Sequence, residues 1–178
     1  MKIIAIGAVT AGGKTTVVRA VRERLPRAAS LHFDDYTFAG EVEDFGKWMS
    51  EGADVHVWDL SPLKADIERI RRSGACDYLL LDYPFAYGHR MIRDDLDCCI
   101  FIDTPLDIAM ARRVLRDMQD ASAEEIRREM ETYLHAARPA YVHMQDAQRT
   151  GTDYVIDGAK DLETVVNEVA DLILHGGF

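Results

Sequence analysis

Short apolar runs recur along the chain, separated by stretches with helical period. The runs fall at residues 2–7, 29–33, 77–82, 97–103 and 152–156. Their centres are continuous rather than alternating, as in Ile3-Ile4-Ala5-Ile6 and Tyr78-Leu79-Leu80-Leu81. A strand that is apolar on both sides must be covered on both sides, which is the condition of a parallel sheet between layers of helix. Helices are predicted at about 14–25, 41–51, 60–73, 105–117, 122–147 and 161–175. Strands alternating with helices give an α/β chain, a three-layer α/β/α sandwich around a mainly parallel five-stranded sheet.

Local signals mark the boundaries. Thr104 precedes Pro105, the arrangement of an N-cap before proline in the first turn. Ser122-Ala123-Glu124-Glu125 has the spacing of a capping box. Asp161 is placed to cap the last helix. Pro139 falls inside the long segment 122–147 and should kink or divide it near Arg138.

Composition narrows the class. A chain of 178 residues is one domain by default. It is 48% hydrophobic, yet has no run of apolar residues long enough to span a bilayer. Met1-Lys2-Ile3 enters a strand directly, without the architecture of a signal peptide. Cys76, Cys98 and Cys99 lack metal-site spacing, and the adjacent pair reads as core; a reducing cytoplasm is the expected compartment. The formal net charge of −10 argues against a nucleic-acid partner, which usually requires a basic face. No repeat or low-complexity tract is visible.

The chemistry starts after the first strand, at Ala8-Val9-Thr10-Ala11-Gly12-Gly13-Lys14-Thr15-Thr16. Strand, small-residue loop, Lys-Thr and helix form the phosphate-binding loop of P-loop NTPases. Backbone N–H groups and a helix N-terminus face the phosphates there. Lys14 would bridge the β- and γ-phosphates, and Thr15 would offer its hydroxyl to Mg²⁺. The pattern asks for glycine at position 8 and finds Ala8, with Gly7 one residue earlier. Alanine is tolerated there if its φ is negative.

Carboxylates end three of the strands. Asp34 and Asp35 follow Leu31-His32-Phe33, on the rim where open parallel sheets bind ligands. Asp34 can take a proton from an attacking hydroxyl or hold Mg²⁺ through water; a solvated turn or cap is the alternative. Asp82 and Asp103 each close an apolar strand and each fits a carboxylate that organises Mg²⁺. Asp82 is favoured, because Asp103 also precedes the Thr104-Pro105 helix start. Arg112 and Arg116 share a helix face, either to neutralise a phosphoryl group or as a solvated face paired with Asp117 or Asp120. Trp58 and Asp59 can stack a ring and bind hydroxyls, or serve as core and cap. The six histidines form no ligand spacing, and Tyr141 and Met144 read as core.

These pieces resemble the uridine kinase family and, within it, the nicotinamide riboside kinases. The resemblance runs through Val9–Thr16, Phe33-Asp34-Asp35-Tyr36, Trp58-Asp59, Ala111-Arg112-Arg113-Val114-Leu115-Arg116-Asp117 and Tyr154-Val155-Ile156-Asp157-Gly158, over most of the chain. It implies that Asp34 accepts the substrate hydroxyl's proton, with Asp35 and Tyr36 beside it on the substrate side. It implies that Trp58 and Asp59 contact a base and its ribose. Arg112 and Arg116 would belong to a lid around 112–125, and Asp157-Gly158-Ala159 would border adenine. The chain departs from those kinases at Ala8. It departs again at Asp82-Tyr83, where they carry Glu-Gly, and in the segment Pro84-Phe85-Ala86-Tyr87-Gly88-His89-Arg90 that follows.

The expectation is a single P-loop kinase domain using ATP and Mg²⁺. Its acceptor is a hydroxyl of a nucleoside-like small molecule; nucleic acid and membrane are not partners. Alternatives are an antibiotic, vitamin or sugar acceptor, or a non-catalytic nucleotide-binding switch.

Overall fold

The computed structural model describes residues 1–40, 42, 47–48 and 51–178. Five parallel strands form one sheet: β1 (Lys2–Ala8), β2 (Ala28–His32), β3 (Tyr78–Asp82), β4 (Cys98–Asp103) and β5 (Tyr154–Asp157). Their order is β2-β3-β1-β4-β5, so β1 lies at the centre. The helices are α1 (Lys14–Arg24), α2 (Ser61–Ser73), α3 (Leu106–Asp117), α4 (Ala123–Thr132), α5 (Arg138–Thr150) and α6 (Leu162–His175).

Both faces of the sheet are buried, which explains the unbroken apolar runs. Ile4 and Ile6 of β1, Leu80 of β3 and Ile100 and Ile102 of β4 pack under α1 and α6, against Val17, Val18, Val21, Val165, Val166 and Val169. Ile3, Ala5, Leu79 and Leu81 point the other way, onto Leu63 and Ile67 of α2 and the aromatic residues Phe38, Trp58 and Tyr83. Cys98 and Cys99 divide between these two cores, and burial first of all pushes both thiols up to about 12.

The predicted strands agree with the observed ones to within one or two residues. The segment 122–147 does not stay whole: α4 ends at Thr132, Tyr133–Ala137 form a π turn, and α5 restarts with Pro139 in its first turn. Proline lacks an N–H and crowds the carbonyl four residues back, so the wider π turn carries the chain past it. The capping box is complete, with Ser122 and Glu125 each accepting a bond from the other's backbone N–H. Asp161 caps α6 by accepting from the Thr164 N–H. Thr104 does not cap α3, whose preceding residue is Pro105 and whose first turn no side chain closes. Most of the predicted 41–51 helix lies outside the described residues; Lys47 and Trp48 are helical. Among the described residues, no helix is long and apolar enough to cross a membrane.

Candidate active site

A cleft of about 620 Å³ opens at the carboxyl ends of the strands. Ala8, Val9, Thr10, Ala11, Gly12, Gly13, Lys14, Thr15 and Thr16 form one wall. The loop is tight: the Gly12 N–H donates to the Val9 carbonyl at 2.8 Å. Ala11 and Gly13 take positive φ, 58° and 97°, and Gly13 is the N-cap of α1. Ala8 is absent from the positive-φ residues, so the alanine is accommodated without strain. Its methyl packs beneath the loop, where a Cβ on Gly12 would come within 2.9 Å of it.

Asp82 does not itself line the cleft: it is 2% exposed and meets this wall through Lys14. One carboxylate oxygen forms an ion pair with the Lys14 ammonium. The other lies 3.0 Å from His32 Nδ1. Parallel pairing of β2 with β3 sets His32 opposite Asp82, and His32 Nε2 lies 3.2 Å from the Ser30 hydroxyl. Burial presses the Asp82 pKa upward. The Lys14 charge and hydrogen bonds from Lys14, Thr15 and His32 outweigh it and hold the carboxyl below its ordinary range. Asp103 is engaged elsewhere: Arg149 reaches both its oxygens, at 2.7 and 3.0 Å, and Gln145 donates at 2.8 Å. It fastens α5 to the sheet.

Phe33, Trp48, Trp58, Pro84 and Phe85 also line the cleft, with Asp34 on the same lining. The rings pack on one another: Trp58 lies 5.1 Å from Phe85 and 5.3 Å from Trp48, and Phe33 meets Phe85 edge-on at 5.3 Å. Behind them His89 is buried, bonded through Nε2 to the Trp58 carbonyl at 3.1 Å. Arg112 and Arg116 of α3 reach the cleft from the side. Asp117 takes both Nε and a terminal nitrogen of Arg116, at 2.5 and 2.9 Å, and Asp34 adds to the negative field on that guanidinium. Arg113 points away, to Glu129 at 2.8 Å.

Several expected site residues are not among the described residues that line the cleft. Tyr36 donates its hydroxyl to Asp66 of α2 at 2.8 Å, and burial together with that carboxylate raises its pKa. Asp59 accepts from the Ser61 N–H at 3.0 Å and from its hydroxyl, in a local turn just ahead of α2, whose N-cap is Leu60. Asp35 is exposed next to Asp34. Of Asp157, Gly158 and Ala159, at the end of β5 and just beyond it, Gly158 lines the cleft, while Asp157 accepts from the Ala159 N–H at 2.9 Å in a local turn. Lys160 and Leu162 line it too.

Sequence reasoning gave no individual site role to His32, Phe33, Trp48, Phe85 or Lys160, although Phe33 and the segment around Phe85 were singled out as motifs. His32 sits two residues before Asp34, but its partner Asp82 is recognisable only once β2 and β3 are known to be neighbours. The donor set of Thr15 and Asp82 fits Mg²⁺: a hydroxyl and a buried carboxylate are hard oxygen ligands, of the kind that ion takes beside phosphate oxygens.

Comparison with known proteins gives a consistent result. A profile of the Phosphoribulokinase / Uridine kinase family matches residues 79–165. A chloroplastic uridine/cytidine kinase of Arabidopsis thaliana is 23% identical over 67% of the chain; the match spans only 24% of that protein's length. A uridine kinase of Streptococcus pyogenes is 25% identical over 86% of both chains. Among solved structures, the Deinococcus radiodurans tunicamycin resistance protein superposes with a TM-score of 0.58 at 16% identity, covering 97% of this chain and 95% of the other. That likeness concerns the fold.

Proposed function

We propose that this chain, a uridine kinase-like P-loop kinase, transfers the γ-phosphoryl group of ATP to a hydroxyl of a nucleoside-like small molecule. The observation that carries the reading is one cleft whose lining holds the phosphate-loop residues, a cluster of packed aromatic rings and Asp34.

In this reading Lys14 and the loop amides hold the phosphates and take up the negative charge that develops on transfer. Lys14 must leave Asp82 to do so. His32 stays bonded to Asp82, so the carboxylate remains oriented when its ammonium partner turns to the nucleotide. Thr15 and Asp82 would hold Mg²⁺, Asp82 through water; the ion supplies charge neutralisation at the phosphates. Asp34 orients the acceptor hydroxyl and accepts its proton. Arg112 and Arg116 complete the site as the segment 112–125 closes over it, and that closure excludes water.

A second acceptor class is favoured by one observation: the Tyr36 hydroxyl and the Asp59 carboxylate are bonded to Asp66 and Ser61. An antibiotic, vitamin or sugar alcohol would use the same Asp34. The test incubates the protein with Mg²⁺-ATP and a pool of nucleosides, nicotinamide riboside, sugars and aminoglycosides, and reads mass spectra for a product about 80 Da heavier, as phosphoryl transfer requires. A product establishes the activity and names its class. Intact ATP binding with no product across a wide pool points to a nucleotide-binding switch.

A further inference from the structure

Thr104, at the end of β4, has no exposed surface. Its hydroxyl donates at 2.8 Å to the carbonyl of Gly12, inside the phosphate loop. On its other side it meets the loop after β5. A Cβ on Gly158 would lie 2.9 Å from both Thr104 Cα and Thr104 N, and would overlap the hydroxyl. Gln145 of α5 donates to the Thr104 carbonyl at 3.2 Å. One small side chain is thus wedged between two loops, and Gly12, Gly13 and Gly158 of those loops all border the cleft.

The bond fixes a peptide plane. In a trans peptide the C=O and the following N–H point in opposite directions. With the Gly12 carbonyl turned to Thr104, the Gly13 N–H is turned the other way. A loop that accepts phosphate needs its N–H groups inward and its carbonyls outward. Gly13 has a φ of 97°, where glycine moves freely. Its own backbone therefore does little to stop the peptide from flipping and presenting a carbonyl to the anion.

We propose that Thr104 is a positioning residue for nucleotide binding: its hydroxyl locks the Gly12–Gly13 peptide in the anion-accepting orientation before ATP arrives, and ties the phosphate loop to the loop at Gly158. The inference rests on the nucleotide reading of the cleft. It assigns the hydroxyl a role in affinity that packing alone would not give.

Calorimetry with two probes, tripolyphosphate and ATP, tests it on the full chain. Thr104→Val keeps the shape and removes the donor, and should weaken both probes by about tenfold, the loss expected when a buried carbonyl goes unpaired. Thr104→Ser keeps the donor and should stay within about threefold of the original protein, well under one hydrogen bond's worth. The KM for the acceptor should not move in either. If Thr104→Val fails to fold, Thr104→Ala replaces it. Unchanged affinities in a variant that only melts earlier would overturn the proposal and leave Thr104 a packing residue. If the unmodified protein binds neither probe, the nucleotide reading falls and the latch with it. If it binds both but phosphorylates nothing, the kinase reading falls, and the Val-against-Ser comparison still decides the latch.

Discussion

Asp34 is the side chain on which the transfer reading depends most directly, since it lines the same cleft as the phosphate loop and the aromatic residues. Asp34→Asn keeps its shape and removes the base. Transfer should fall by roughly 10²-fold or more, the scale of a general-base contribution, while nucleotide affinity survives. Turnover unchanged in the asparagine variant sinks the role. Asp82 makes a different prediction, about pH. Its carboxyl titrates below the ordinary range in the folded protein, despite burial that opposes this. A lowered carboxyl contributes stability that is present above the unfolded value and lost as pH falls through the folded one. The nucleotide-free protein should therefore lose stability below about pH 4, where an unfolded aspartate begins to take up its proton. Asp82→Asn should lower the urea midpoint at neutral pH and flatten the acid limb. An acid limb equally steep in the variant would mean that other carboxylates carry it.

The strands were legible because burial on both faces leaves a plain mark, a continuous apolar run. The phosphate loop was legible because its chemistry depends on residues adjacent in sequence. Asp34 and Trp58 both line the cleft; Asp34 was marked by its place after the second strand, and Trp58 was assigned to the site only by the family resemblance. The Asp82–His32 pair was not, because it depends on which strands are neighbours, and strand order is set by crossovers that leave no mark at either residue. The partners of Tyr36 and Asp103 were hidden likewise, since α2 and α5 supply them. Pro139 announced a break, but not that a π turn would bridge it. That region carries a prediction of its own. No residue of α4 is buried, so the helix leans on its capping box and on the Arg113–Glu129 pair at 2.8 Å. Ser122→Ala should cost about 1 kcal/mol, and the amides of α4 should lose hydrogen-exchange protection first. Uniform loss of protection across the chain would show that α4 is held by packing instead.

In the proposed reading the molecule as a whole brings phosphate binding and acceptor binding into one cleft, with β1 at the centre of the sheet feeding the phosphate loop. The formal charge of −10 makes the long-range field unfavourable for ATP, so binding must come from the loop itself, where Lys14 and the α1 N-terminus act at short range. A site arranged in this way has a hazard. Once ATP is bound, water can reach the same position beside Asp34 that the acceptor hydroxyl occupies. In the proposed reading water would bring none of the contacts with Trp58 and Phe85 that an acceptor would bring, so it could not offset the cost of closing the segment 112–125. Hydrolysis without acceptor should therefore run roughly 10²-fold or more below transfer, since the base and the arginines are not assembled around water. Steady-state phosphate release with and without acceptor measures the ratio. Comparable rates would mean that the site is assembled before the acceptor arrives, and that acceptor binding at the aromatic residues does not drive closure.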